Sequence, residues 1–221
     1  MSKHPEVTMI IVHHLGVSQS ERIVWLFEEL GLPYELKRYE RDPVTKLAPP
    51  EYRKLHPIGI APIITDGQVV LPESGAIVEY VIRKYGNGRL SIGPEAENFA
   101  DYLFWFHFAN GTMMPSEMMG VVASLAPQPP NHPALAALLD RGRRAHELCE
   151  ARLAVVPYLA GSEFTAADIM MGFGLTTMRA FTGREISKYP SIQAYLGRIG
   201  ERPAYRRAME KGDPGLTPNL R

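Results

Sequence analysis

Up to residue 85 the hydrophobic pattern changes period several times. Residues 8–12 (Thr-Met-Ile-Ile-Val) form a continuous apolar run, the pattern of a buried strand. Residues 20–30 place Ile23, Leu26, Phe27 and Leu30 at helical spacing, which gives one core-facing stripe. Gly31 supplies a C-terminal stop and Pro33 prevents continuation. Residues 34–39 alternate and predict a second strand. Residues 42–59 carry Pro43, Pro49, Pro50, Pro57 and Gly59 and predict a loop with a short helix around residues 52–55. Residues 63–65 and 69–71 flank Asp66-Gly67, a hairpin signal, because Asp-Gly suits the left-handed backbone of a two-residue turn. Residues 74–85 predict a helix with Ile77, Val81 and Tyr85 inward and Gly86 at its end. A right-handed crossover makes the first two strands parallel, and the hairpin makes the last pair antiparallel. The expected product is a small mixed sheet with helices packed on it.

Residues 86–94 hold three glycines and a proline and read as a linker. From residue 95 the apolar positions follow helical spacing only. Helices are predicted over 97–119 (broken or bent near Gly111 and Pro115), 133–155, 166–181, 191–201 and 204–211, with a proline-containing loop at 121–132 and an extended tail at 213–221. The chain therefore divides into an α/β unit over residues 1–88 and an all-α bundle over 95–221. Phe164-Thr165-Ala166-Ala167-Asp168-Ile169 is a helix-start signature. Thr165 caps, Asp168 bonds back to the Thr165 amide, and Phe164 with Ile169 forms a hydrophobic staple. This device is worth about 1 kcal/mol of stability and is not a catalytic site.

Composition narrows the function classes. Lys plus Arg and Asp plus Glu both number 24, so no electrostatic signature of a nucleic acid or an anionic membrane is present. Hydrophobic residues make up 45%, enough for a substantial core. No apolar stretch approaches the ~20 residues of a membrane span, and no signal peptide is apparent, so a cytoplasmic location is expected. Cys149 is the one cysteine, which excludes an intrachain disulfide, a redox cysteine pair and a multi-cysteine zinc site. His13 and His14 are adjacent and not spaced as ligands, and no metal is assigned.

Three segments of the first unit carry candidate chemistry. Ile60-Ala61-Pro62 opens a strand with a proline; a cis bond there leaves the Ala61 backbone facing outward, free to pair with an extended peptide. Taken alone, the segment is better explained by an ordinary edge proline. Glu73-Ser74 stands where a strand turns into a helix. The helix N-terminus and the Ser74 hydroxyl favour a carboxylate, and Glu73 complements an ammonium, so an amino-acid end suits the pair. Gly16-Val17-Ser18-Gln19-Ser20-Glu21-Arg22 joins the first strand to the first helix. A serine there stabilises a thiolate by hydrogen bonding. Ser20, followed by Glu21, fits helix capping better, so Ser18 is the choice for chemistry.

The run His14-Leu15-Gly16-Val17-Ser18-Gln19-Ser20-Glu21-Arg22-Ile23-Val24-Trp25-Leu26-Phe27-Glu28-Glu29-Leu30-Gly31, then His56-Pro57-Ile58-Gly59-Ile60-Ala61-Pro62, Glu73-Ser74, the Thr165/Asp168 cap and residues 102–111 together resemble the cytosolic glutathione S-transferase superfamily, in particular serine-type bacterial and fungal members. The resemblance implies a thioredoxin-like N-terminal domain and an all-helical C-terminal bundle. It implies that Pro62 is cis, that Ala61 pairs with the cysteinyl backbone of glutathione, that Glu73 and Ser74 hold its γ-glutamyl end, and that Ser18 activates its thiol, with Ser20 nearby. Many members have a polar residue where Ile60 stands, so His56, Lys46 or Arg53 is left to bind the glycyl carboxylate. The implied activity is conjugation of glutathione to an apolar electrophile in detoxification, by a homodimer. A glutathione-binding interaction module and a glutathione-dependent peroxidase are the alternatives. The second substrate is expected against helix 97–119, near Trp105, Phe108, Met113, Met114, Met118 and Met119.

Overall fold

The computed structural model describes residues 9–125 and 132–221. Thr8 and half of the expected proline-rich loop at 121–132, residues 126–131, lie outside these residues. The sheet has the order β2-β1-β3-β4. Strands β1 (Ile10–Leu15) and β2 (Tyr34–Tyr39) are parallel, with Ile10 opposite Tyr34 and Leu15 opposite Tyr39. Strands β3 (Ile63–Asp66) and β4 (Val69–Pro72) form the hairpin, and β3 is antiparallel to β1.

Strand β1 runs three residues beyond its expected end, through His13 and His14 to Leu15. An apolar-run criterion stops a strand at its first polar residue. Here both imidazoles are buried with partners, which removes the cost of enclosing them. His13 lies 3.0 Å from the Tyr39 hydroxyl and 2.9 Å from Thr65 Oγ1. Burial, helped by Lys37, pushes its pKa down to about 4, so the ring is neutral. The hairpin turn is Gly67-Gln68 rather than Asp66-Gly67, since Asp66 pairs with Val69. The Asp66 carboxylate is recruited inward by Tyr80, Tyr85 and Lys84, and Gly67, at a φ of 58°, takes the left-handed position.

Helix α1 (Glu21–Leu30) lays Ile23, Leu26, Phe27 and Leu30 into the core and ends at left-handed Gly31. Its other face is buried too, because α7 (Ala166–Leu175) and α10 (Pro203–Gly212) cover it. A short helix α2 (Pro50–Arg53) interrupts the long connection, and α3 (Ser74–Lys84) follows the hairpin. The expected helix 97–119 comprises α4 (Phe99–Phe108), a π-helical turn (Ala109–Met113) and α5 (Met114–Ser124). Pro115 cannot donate back along an α-helix, and the π turn just before it absorbs that missing bond without ending the rod. The expected loop at 121–132 therefore begins as helix. Helix α6 is Pro133–Leu153, and the expected helix 166–181 divides into α7 and a short α8 (Arg179–Thr182). Helix α9 (Pro190–Glu201) precedes α10. No helix among the described residues is long and apolar enough to cross a membrane.

The Thr165 cap is formed as expected: the Thr165 amide donates to Asp168 Oδ2 at 2.8 Å, and Ala167 N–H donates to Thr165 Oγ1. Asp168 also accepts from Leu159 N–H and the Tyr195 hydroxyl, tying three segments of the bundle together. Phe164 packs on Trp25 of α1, 5.4 Å between ring centres. One core cluster runs through both halves, from Val12 and Trp25 to Trp105, Ile169 and Tyr205. Cys149 is fully buried in it, and burial pushes its thiol well above the usual range.

Candidate active site

The loops at the C-terminal end of β1 and before β3 open into two adjoining cavities. The larger, of about 580 Å³, lies between the halves of the molecule. One wall holds Leu15, Val17, Ser18, Gln19, Ile60 and Ala61, together with Arg41 and Arg53. The facing wall is apolar: Met114, Met118, Val121, Phe173, Met178 and Phe181. The smaller, of about 70 Å³, continues past Gln19, Ile60 and Ala61 to Pro62, Glu73, Ser74 and Asn110.

The two cavities meet at a built turn. The Ala61-Pro62 bond is cis, and among the described residues neither backbone group of Ala61 has a hydrogen-bond partner. Glu73 has a φ of 74°, rare for a side-chain-bearing residue, and it is exposed at the rim. The first intrahelical bond of α3 runs from Ile77 N–H to Glu73 O, so the amides of Ser74, Gly75 and Ala76 are left at a positive helix end. At α1 the corresponding amides are not free: Glu21, Arg22 and Ile23 donate to the carbonyls of Ser18, Gln19 and Ser20.

Arg22 fixes this floor. It is buried, and its Nη1 donates to Gln19 Oε1 at 2.6 Å and to Asn110 Oδ1 at 2.8 Å, with Ser74 Oγ at 3.4 Å. One guanidinium thus orients three residues that line the small cavity. Burial draws its pKa down to about 10, against the pull of Glu21, and it stays charged at neutral pH. Arg41 donates to the carbonyls of Gly16 and Val17 and clamps the turn before Ser18 from below.

Ser18 borders the larger cavity at 5% exposure, and its Oγ donates to Leu15 O at 2.6 Å. Ser20 is wholly enclosed and lines neither cavity. The expectation that it caps α1 is also overturned: its side chain makes no cap bond, and Leu15 N–H donates to it instead. The strand end offered the closer unpaired amide. His56 borders neither cavity; its Nδ1 accepts from Ile58 N–H and closes its own turn. Of the three residues expected near a carboxylate there, Arg53 reaches the cavity, whereas His56 and Lys46 do not.

The apolar wall also differs from expectation. Met114 and Met118 line it, but Trp105, Phe108 and Met113 are core residues, and Met119 faces a separate groove. Phe173, Met178 and Phe181 take their place, from α7, α8 and the turn between them. Their periodicity is that of any buried helix, so nothing in the sequence marked them. Among the described residues no three His, Cys, Asp or Glu side chains converge as metal ligands.

Comparison with known proteins agrees with this geometry. The glutathione S-transferase N-terminal domain family matches residues 7–83, and the C-terminal domain family matches residues 113–203. The chain is 36% identical to glutathione S-transferase 3 of Schizosaccharomyces pombe, covering 92% of this chain and 88% of that one. The crystal structure of a glutathione S-transferase from Actinobacillus pleuropneumoniae superposes with a TM-score of 0.85 at 29% identity, covering 96% and 99% of the two chains. A glutathione transferase from Phanerochaete chrysosporium, crystallised with oxidised glutathione, shares the fold at a TM-score of 0.72 and 24% identity, covering 95% and 96%. A thioredoxin-like sheet, a helical bundle and matching domains over most of its length show that this chain belongs to the glutathione S-transferase family, whose co-substrate is glutathione.

Proposed function

We propose that the protein joins the thiolate of reduced glutathione to apolar electrophiles, with the Ser18 hydroxyl donating to the sulfur. The observation that carries this reading is the position of Ser18, on the wall of the larger, apolar cavity and next in sequence to Gln19, which borders both that cavity and the smaller one. The tripeptide then lies along the seam between the two cavities. The Ala61 main chain pairs with its cysteinyl unit, beside Pro62 and Ile60. Glu73 meets its ammonium, and Ser74 with the free α3 amides meets its α-carboxylate. Arg53 and Arg41 are the cations within reach of its glycyl carboxylate.

A hydroxyl donating to sulfur favours the ionised form and lowers a thiol pKa from its reference of about 8.5. The electrophile sits against Met114, Met118, Phe173, Met178 and Phe181. Flexible thioethers and aromatic rings favour breadth over a single shape. Binding both reactants in one enclosed space supplies orientation, and the thiolate attacks the electrophilic carbon to form a thioether. A homodimer working in the cytoplasm, with a role in detoxification, completes the reading; the resemblance to serine-type family members supports it.

The test is Ser18→Ala, assayed with glutathione and a generic aryl halide. Turnover is expected to fall by about tenfold to a hundredfold while KM for glutathione stays within about twofold, as for a group acting mainly on the reacting sulfur. Wild-type turnover in that variant overturns the role of Ser18. Failure of the unmodified protein to take up reduced glutathione in a calorimeter overturns the whole reading.

A further inference from the structure

Ser18 is the outer end of a buried chain of side chains. Its Oγ lies 2.7 Å from Ser20 Oγ, and Ser20 Oγ lies 2.9 Å from His14 Nδ1. His14 Nε2 in turn lies 3.2 Å from Asp213 Oδ2, an ionic contact when the ring is protonated. Neither of those last two atoms makes a hydrogen bond among the described residues, so their contact is an electrostatic one across 3.2 Å. Ser20 and His14 are wholly enclosed, Asp213 is 7% exposed, and of the four only Ser18 borders the cavity.

We infer that the Asp213–His14 pair takes up the thiol proton of glutathione, with Ser20 passing it on from Ser18, which makes His14 and Asp213 positioning residues for thiol activation. The inference rests on Ser18 facing the sulfur. The carboxylate beside Nε2 favours the tautomer with its proton there and leaves Nδ1 as an acceptor. In that state Ser20 O–H donates to His14, and the Ser18 O–H, which otherwise donates to Leu15 O, rotates to Ser20 Oγ for the transfer. When glutathione arrives, its S–H bond breaks and the proton goes to Ser18 Oγ. The Ser18 proton moves to Ser20 Oγ, and the Ser20 proton moves to His14 Nδ1. The products are a thiolate and an imidazolium. Every hydroxyl now points outward, so Ser18 donates to the thiolate and Asp213 balances the ring. The imidazolium gives its proton to solvent when the conjugate leaves.

Stability alone does not explain this arrangement. Asp213 Oδ1 accepts from Val17 N–H at 2.9 Å, which a neutral amide oxygen does equally well. A buried carboxylate costs several kcal/mol unless it is paired, and the pair on its other oxygen is a histidine. Gly212 lies flat against that ring: a Cβ there would stand 3.3 Å from His14 Cε1 and Nε2. The neighbouring titratable groups are Arg38, whose Nε donates to Gly212 O, Arg41 below the turn, Glu40 near Gly16, and Glu21 on α1, which burial keeps protonated at neutral pH. Burial raises the Asp213 pKa, but contact with His14, the Val17 amide and Arg38 outweigh it, so the carboxyl remains ionised.

The test compares Asp213→Asn, His14→Asn and Ser18→Ala by the ultraviolet absorbance of bound thiolate against pH, alongside kcat and KM profiles with an aryl halide. His14→Asn keeps a polar atom near Nδ1 but accepts no proton. Both relay variants are expected to raise the apparent pKa of the bound thiol by about one unit and to lower kcat about tenfold at neutral pH, with KM for glutathione within about twofold. The deficit narrows at higher pH, where sulfur ionises unaided; a merely structural loss is the same at every pH. Ser20→Ala removes a single oxygen and gives the same shift, which keeps the test open if a charge variant fails to fold. If Ser18→Ala moves the thiol titration and the relay variants do not, the relay is overturned and the Ser18 reading stands. If Ser18→Ala moves nothing, the Ser18 reading fails first.

Discussion

Glu73 meets two demands at one position: a left-handed φ of 74° and a carboxylate at the rim of the small cavity. A residue with a Cβ pays roughly 1–2 kcal/mol for that backbone, and glycine does not. The two demands are separable. Glu73→Gly is expected to raise the melting temperature yet weaken glutathione binding about tenfold, and Glu73→Gln to weaken binding similarly with the melting temperature unchanged. The binding loss is that of one charge-assisted hydrogen bond. Calorimetry and thermal melts on both variants check this; wild-type affinity in Glu73→Gln shows that the ammonium is held elsewhere. Glu73, Ser74, Ala61 and Pro62 were legible in the sequence because each belongs to a short local motif. Gln19, Asn110 and Arg41 were not, because their roles depend on Arg22 and on the Val17 turn, which the sequence shows without their partners.

Among the elements, the contact of α1 with α7 holds the two walls of the large cavity at a fixed distance. It depends on Gly172, where an added Cβ would lie 2.8 Å from Trp25 Cζ3. Trp25 is wedged against Phe164 and Tyr205 and has no room to move. Gly172→Ala gains about 1 kcal/mol of helix propensity but forces overpacking worth about 1–3 kcal/mol. The expected result is a net loss of stability and a melting temperature lower by a few degrees, with altered Trp25 fluorescence. A more stable variant would show that the helices separate freely. Sequence periodicity found α1 and α7 but not their crossing, since Gly172 in a helical pattern reads only as a weak helix former.

For the whole molecule, the seam between the halves contains a buried acid. Glu21 of α1 accepts from Thr177 Oγ1 at 2.7 Å, across the seam. Burial raises its pKa to about 8, with Asp213 adding to the effect and Thr177 and Arg22 opposing it. The folded protein therefore keeps a proton that the unfolded chain releases near 4.5. The stability this group contributes is fully present below that value and is lost as pH rises towards about 8. The steepest loss is about 1.4 kcal/mol per pH unit, roughly 3–5 kcal/mol in all. Glu21→Gln removes this slope. Urea midpoints of the two proteins between about pH 5 and pH 8 are expected to diverge as pH rises, with the variant gaining on the wild type; parallel curves would mean Glu21 is ionised in the folded state.

The sequence by itself determined the local devices: the Gly31 stop of α1, the β3–β4 hairpin, the Thr165 cap, and the Ala61-Pro62 and Glu73-Ser74 segments that flank the small cavity. Each is built from residues a few positions apart, whose backbone preferences and hydrogen bonds act without help from the rest of the chain. Only the tertiary structure decided what lies behind and across from Ser18. Asp213 is 196 residues from Val17 and joins it through the return of the tail to the end of β1. Phe173 and Met178 became cavity wall, and Trp105 and Met113 became core, according to how the helices crossed. Burial, which brings two serines, a histidine and an aspartate into one line, is a property of the packed molecule and leaves no periodic trace in the order of its residues.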